Sequence, residues 1–292
     1  MASAPTRQAW LHGGRIAQTT AAVALWHLLL FGGALVSLFP LFWLVSTALK
    51  LDGREWLFPP EWIPNPARPE NFLDAWRELP ALLFLRNSTA VALLATAGNV
   101  LAASFVAFGF ARLRFVGRDF WFLVLVSTLM LPSVVTLIPT FILFRYLHWF
   151  DTLLPLIVPS WLGGGAFNVF LIRQFYATLP MELDEAARVD GASSFWIYWR
   201  VLLPLSGPAL AAVAIFGFIH HWNDFLGPLV FTNSVETRTL AVGLKLLQSA
   251  YGTSWNLIMA GSVWMLLPVL VLFFVAQRYF IRGIALTGMA GR

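Results

Sequence analysis

Cysteine is absent from this chain of 292 residues. Disulfides, thiolate metal ligands and cysteine nucleophiles are excluded together. Charge is also scarce: 11% of the residues are Asp, Glu, Lys or Arg, where a soluble globular domain carries about 25%. So little charge cannot coat a surface meant for water. No basic run occurs, so the net charge of +5 does not describe a nucleic-acid surface. A Gly-rich Walker loop is missing, and this chain is not expected to hydrolyse ATP. Paired aspartates and a Ser/His pair at helical spacing are missing too, which leaves a membrane enzyme without catalytic groups; no catalytic, cofactor-binding or metal site is expected.

What the chain has in quantity is apolar sequence, 59% of it, with a mean hydropathy of +0.75. A spanning helix needs about 20 mostly apolar residues. Six stretches qualify: Ala21–Leu49, Asn87–Leu113, Phe120–Phe144, Leu153–Ile172, Pro208–Phe231 and Leu257–Ala276. The first is far longer than a signal-peptide core and is followed by no small-residue cleavage site, so it reads as retained. Fourteen Trp residues suit a protein with two membrane–water interfaces. The expected divisions are a tail 1–20, a first helix 21–49, an extracytoplasmic loop 50–86, a five-helix core 87–281 containing a polar loop 174–207, and a tail 282–292.

Lys and Arg placement sets the orientation. Eleven lie on the side of both termini, including Arg7, Arg112, Arg188 and Arg278; eight lie opposite, five of them in the long loop Lys50–Arg86 beside six acids. Long loops cross regardless of charge, so the short ones decide, and both termini are expected in the cytoplasm.

Pro132 and Pro139 interrupt the third span, Pro155, Pro159 and Gly163–Gly165 the fourth, and Pro268 the sixth. Broken backbone at membrane depth needs protein or a water-filled cavity around it, so these breaks either mark a pathway or are ordinary membrane prolines. In the second span Ala95, Asn99, Ala103, Ala107 and Ala111 form a small-residue row. It permits close helix packing, and Asn99 can bond across the contact or face a substrate. In the fifth span the residues Pro208–Ile219 are too few to cross, so His220, His221, Asn223 and Asp224 fall within or beside the membrane. On a helical wheel these four share one arc. It faces the pathway or a partner subunit, or it is a capped helix end near the outer interface. Adjacent histidines point about 100° apart, which disfavours a metal site.

The loop between the fourth and fifth spans has its own helix signals. Pro180 suits a first turn, and Glu182, Asp184 and Glu185 suit the positive end of a helix dipole. Leu183, Ala186 and Ala187 form an apolar face, and Asp184 can pair with Arg188. Gly191 is placed to end this helix in a left-handed conformation, and Ser193 or Ser194 to cap a second one running to Pro204. A helix this short and polar neither inserts nor stands alone.

The sequence Glu185-Ala186-Ala187, with Asp190-Gly191, then Val201 and Leu203-Pro204, resembles the EAA motif of ABC importer permeases. Val201 stands where the family usually has isoleucine. Phe167–Phe175, Trp222–Leu226, Thr239–Leu244 and Gln277–Gly283 look like the maltose-type carbohydrate importers, and the opening helix with Phe39–Trp43 and Ser46–Lys50 is similar to their smaller permease type. The resemblance implies an all-α membrane protein of six transmembrane helices, the type I ABC importer permease fold, with a cytoplasmic coupling helix between helices 4 and 5. It assigns ATPase coupling to Glu185, Ala186, Ala187, Asp190, Gly191, Leu203 and Pro204. Asn99, His220, His221, Asn223 and Asp224 are the pathway candidates. The implied partners are a second permease, a homodimer of nucleotide-binding ATPase subunits that holds the ATP and Mg, an extracytoplasmic sugar-binding protein, and inner-membrane lipid. The implied function is sugar import, with glycerol phosphate or a polyol as the alternative solute. The tail Gly283–Arg292 resembles tails that approach the ATPases and reads chemically as a flexible end. A secondary transporter is the competing class, and would leave the EAA segment without a purpose.

Overall fold

The computed structural model describes residues 7–249 and 252–289, with side chains for 22–132, 134–248 and 253–277. The chain divides into two compact units, residues 1–74 with 254–263, and residues 75–253 with 264–292.

In the first unit, α1 runs Arg7–Ala48 and keeps Pro40 inside it. Within its apolar stretch Ala22–Ala48 the most apolar 18 residues bury nothing in the chain, and burial begins at Ser46–Ala48. The helix starts well before the expected Ala21, because polar residues close helical hydrogen bonds as well as apolar ones; hydropathy marks only where the membrane begins. Past its end, Asn71 donates to the carbonyls of Ala48 (2.8 Å) and Lys50 (2.7 Å), satisfying acceptors that a helix end leaves open. Lys50 is 1% exposed, with Nζ 4.1 Å above the Trp43 ring. The extramembrane segment that follows carries a short helix of its own, α2 (Glu70–Glu78).

In the second unit α3 (Ala81–Arg112) is central. It begins at Ala81 rather than Asn87, since Arg86 and its neighbours join the helix after Pro80. Ala95, Ala103 and Ala107 are fully buried, so the small-residue row is a packing seam. The third span breaks at Leu131–Pro132 into α4 (Arg118–Ser127) and α5 (Ser133–Tyr146). The fourth opens with helical turns Leu154–Ile157 and Val158–Trp161, then crosses Gly163–Gly165, all at positive φ. It resumes as α6 (Ala166–Thr178). A Cβ on Gly164 would collide with the backbone of Ala103, which shows why glycine stands where the two helices meet.

After α6 come α7 (Glu182–Val189) and α8 (Ser194–Leu205), the latter bent 77° from α9 (Gly207–Asn223). A short α10 (Leu226–Phe231) follows, and α11 (Trp255–Met289) ends the chain with Pro268 inside it. The helix continues to Met289, into the segment expected to be a flexible end, where Ile284, Ala285 and Leu286 give no stop signal. Among the described residues four helices are long and apolar enough to cross a membrane, and two bent pairs bring the number to six. Among the described residues the departure from all-α is the antiparallel pair Gln248–Ser249 with Gly252–Thr253.

The core joins Ala103, Ala107 and Phe108 of α3, Val169, Ile172 and Tyr176 of α6, Ile197, Tyr198 and Leu202 of α8, and Val213 of α9. At the opposite end of α3, Asn87 donates to the carbonyls of Glu236 (2.7 Å) and Arg238 (2.9 Å), and Ser88 accepts from the Leu240 amide (2.8 Å). Asp151 gathers the same loop: its Oδ1 accepts from the amides of Asn233 and Ser234 and the hydroxyls of Ser234 and Thr237.

Candidate functional site

The helix–glycine–helix unit forms as its sequence directs at its turn. Gly191 has φ 82. Its amide donates to Arg188 O (3.0 Å) and that of Ala192 to Ala187 O (2.9 Å), the paired bonds of a Schellman termination. Ser193 caps α8 by accepting from the Trp196 amide (3.2 Å). Pro180 does not sit in the first turn; α7 starts at Glu182, and Met181 O accepts the Asp184 and Glu185 amides. Pro204 donates no amide, and its ring crowds the carbonyl four residues back. Ahead of it the helix widens into a π-turn over Tyr198–Leu202.

α7 presents Glu182, Glu185, Ala186 and Val189 outward, and Asp190 and Gly191 are exposed beside them. Val189 is 88% exposed, an apolar side chain with no cover from this chain's core. Leu183, Ala186 and Ala187 do not form one buried face: Ala187 packs on the core, while Leu183 and Ala186 stay exposed. Val201 and Leu203 pack against the same core and Pro204 is exposed.

Asp184 departs from its expected pairing with Arg188. It turns inward, 2% exposed, with Oδ2 3.7 Å from Nε of Arg112, itself 5% exposed. Arg112 also donates to the carbonyls of Tyr176 (2.9 Å) and Leu179 (2.8 Å) and to the Met181 sulfur. Burial pushes the Asp184 carboxyl above its ordinary range, while Arg112 and then Arg188 draw it back. A cavity of about 550 Å³ opens beside the pair, lined by Arg112, Arg114, Met181, Asp184, Glu185 and Arg188 among others. Nearby, Ser104 and Tyr198 share a hydroxyl hydrogen bond of 2.8 Å, with Phe105 and Phe108 against the same ring.

The second group of candidates is only partly brought together. Asn99 on α3 donates to His221 Nε2 on α9 (3.0 Å), and the His220 ring lies 5.2 Å from that of His221. Asn223 donates to Ile219 O in its own helix. α9 ends there, so Asp224 is not on the helical arc. Its Oδ1 accepts the Gly227 amide (3.1 Å), fixing the turn into α10. Trp222 is buried and donates to Met265 O (2.9 Å). No cluster of metal-ligating side chains occurs among the described residues.

Residues 99–286 match the family described as the binding-protein-dependent transport system inner membrane component. The chain belongs to this family. Among individual relatives, the probable ABC transporter permease YurM of Bacillus subtilis is 32% identical over 87% of this chain and 84% of its own length. The arabinooligosaccharides permease AraQ of Halalkalibacterium halodurans is 34% identical (88% and 93%). The sn-glycerol-3-phosphate permease UgpE of Yersinia pestis is 35% identical (88% and 94%). A solved bacterial ABC transporter that imports the acidic polysaccharide alginate contains a chain that superposes with a TM-score of 0.77 at 21% identity, covering 96% of this chain and all of that one. The fold is therefore that of a type I ABC importer permease. As a member of the family, the protein is a non-catalytic inner-membrane subunit, and a separate subunit hydrolyses ATP.

Sequence reasoning missed Arg112. Its signal was there: an arginine in the last turn of an apolar helix, and Asp184 three residues before the inward-facing Ala187, hence on the same face.

Proposed function

We propose that this permease forms half of the translocation pathway for a carbohydrate handed over by a soluble binding protein. The observation that carries the reading is the outward face of α7. Glu185, Ala186 and Val189 stand free on a helix too short to persist alone, and a rigid glycine turn holds it to the bundle. Such a face suits a groove in an ATPase subunit, with Ala186 allowing close approach and Glu185 offering a carboxylate to a basic residue. The reading includes a second permease beside this one, two ATPase copies carrying ATP and Mg, and both termini in the cytoplasm. Asn99, His220, His221, Asn223 and Asp224 are the polar residues assigned to the pathway.

A relative named for arabinooligosaccharides supports the sugar. An equally similar relative named for sn-glycerol-3-phosphate supports a phosphorylated polyol as the second reading. The test is uptake into proteoliposomes holding the purified complex and its binding protein, with labelled arabinotriose, maltotriose and sn-glycerol-3-phosphate offered in turn. ATP-dependent uptake of an oligosaccharide alone is expected. Uptake of only the phosphate ester selects the second reading, and recovery of the chain without any ATPase overturns both.

A further inference from the structure

We propose that Arg112 and Asp184 are positioning residues through which movement of α7 is passed to α3 and α6. The inference rests on the coupling role given to α7 above.

α7 is fastened to the bundle by very little. On its inner side Ala187 meets the core, and Ala192 follows just after the glycine turn. The only side chain of α7 forming an ion pair among the described residues is Asp184, to Arg112. Arg112 in turn holds the carbonyls of Tyr176 and Leu179 at the end of α6. One guanidinium therefore meets three elements: it belongs to α3, closes the end of α6 and faces the carboxylate of α7. Eight residues back along α3, Ser104 bonds Tyr198 of α8. The two ends of the coupling segment are thus tied to α3 about 12 Å apart along its axis. A push on α7 meets a charged contact on a guanidinium that its bonds to the Tyr176 and Leu179 carbonyls already hold in place. Both charges are largely withdrawn from solvent, so removing one partner leaves the other buried without its counter-charge. Glu185 and Val189, in contrast, face outward and belong to the docking surface.

The test uses the complex assembled with its second permease and ATPase subunits. The native absence of cysteine in this subunit permits a reporter, Leu101→Cys, on an exposed position of α3, read as the labelling of this subunit's own band. Its maleimide labelling rate is measured with and without ATP and Mg. In the parent, ATP should change the rate by about tenfold, inside the roughly 5–150-fold range of coupled sites. Asp184→Asn and Arg112→Lys should keep the ATP-free rate and the bound ATPase, yet lose most of the ATP-dependent change; Asp184→Glu should restore it. An ATP-dependent change that persists in Asp184→Asn overturns the proposal. So does failure of Asp184→Asn and Arg112→Lys to assemble, which would assign the pair to folding. If Glu185→Arg still recovers the ATPase and transports normally, the coupling reading itself fails, separately from the pair.

Discussion

Asn99 of α3 and His221 of α9 are joined by a side-chain hydrogen bond of 3.0 Å, the contact that brings the polar residues of the second and fifth spans together. Such bonds between membrane helices contribute about 0.6 kcal/mol on average and up to about 1.7 kcal/mol. A thermal-unfolding cycle of Asn99→Ala, His221→Ala and the double variant should return a coupling in that range. His220→Ala, at an exposed position, should leave stability unchanged while lowering uptake. Full uptake in His220→Ala would remove that residue from the pathway.

Gly191 has φ 82 and two Schellman bonds around it. Gly191→Ala should cost about 1–2 kcal/mol locally, the usual penalty for an L-residue held left-handed. Gly191→Pro cannot adopt this φ and should leave membrane insertion intact but separate ATP hydrolysis from uptake. Parallel measurement of phosphate release and uptake checks this, with normal uptake in the proline variant as the contrary outcome.

Gly164 and Gly163 are both at positive φ, but only Gly164 has the backbone of Ala103 where a Cβ would go. Gly164→Ala should therefore lower the Tm of the purified complex well beyond Gly163→Ala. The added overpacking is worth about 1–3 kcal/mol. Equal shifts would mean that φ alone, and not helix contact, makes glycine necessary there.

Asp151 is held down to about 2 by the amides of Asn233 and Ser234, then the Thr237 hydroxyl. A carboxyl whose folded pKa is depressed stabilises the loop above its ordinary value of 3.8 and loses that contribution as pH falls towards 2. At neutral pH, Asp151→Ala should speed amide exchange at Asn233 and Ser234 about fivefold. That corresponds to about 1 kcal/mol once solvent screening is allowed for. Between pH 4 and 2 the parent should approach the variant.

The parts legible in the sequence were those with a local cause. Gly191 and Ser193 announce a stop and a cap because only a few residue types serve there. The alanine row announces a seam, because only small side chains let helices touch. Helix limits were less legible: α1 begins at Arg7 and α3 at Ala81, since hydropathy reports the surroundings of a residue and not its hydrogen bonding. A helical wheel puts Asp224 on the polar arc because nothing in the nearby sequence signals that α9 stops at Asn223. The partner of Asp184 was hidden by distance. Helical spacing offers Arg188, whereas the burial of Asp184 against Arg112 depends on how α3 and α6 meet.

Arg112 also sets a condition on exchanging parts between permeases. A coupling segment transplanted from a relative would bring its own glycine turn and its own outward face. It would arrive with a carboxylate facing whatever the recipient carries at the end of its second span. Without a guanidinium there, the graft would keep its docking surface and lose its anchor, so the portable unit is the loop together with one residue encoded 72 positions upstream.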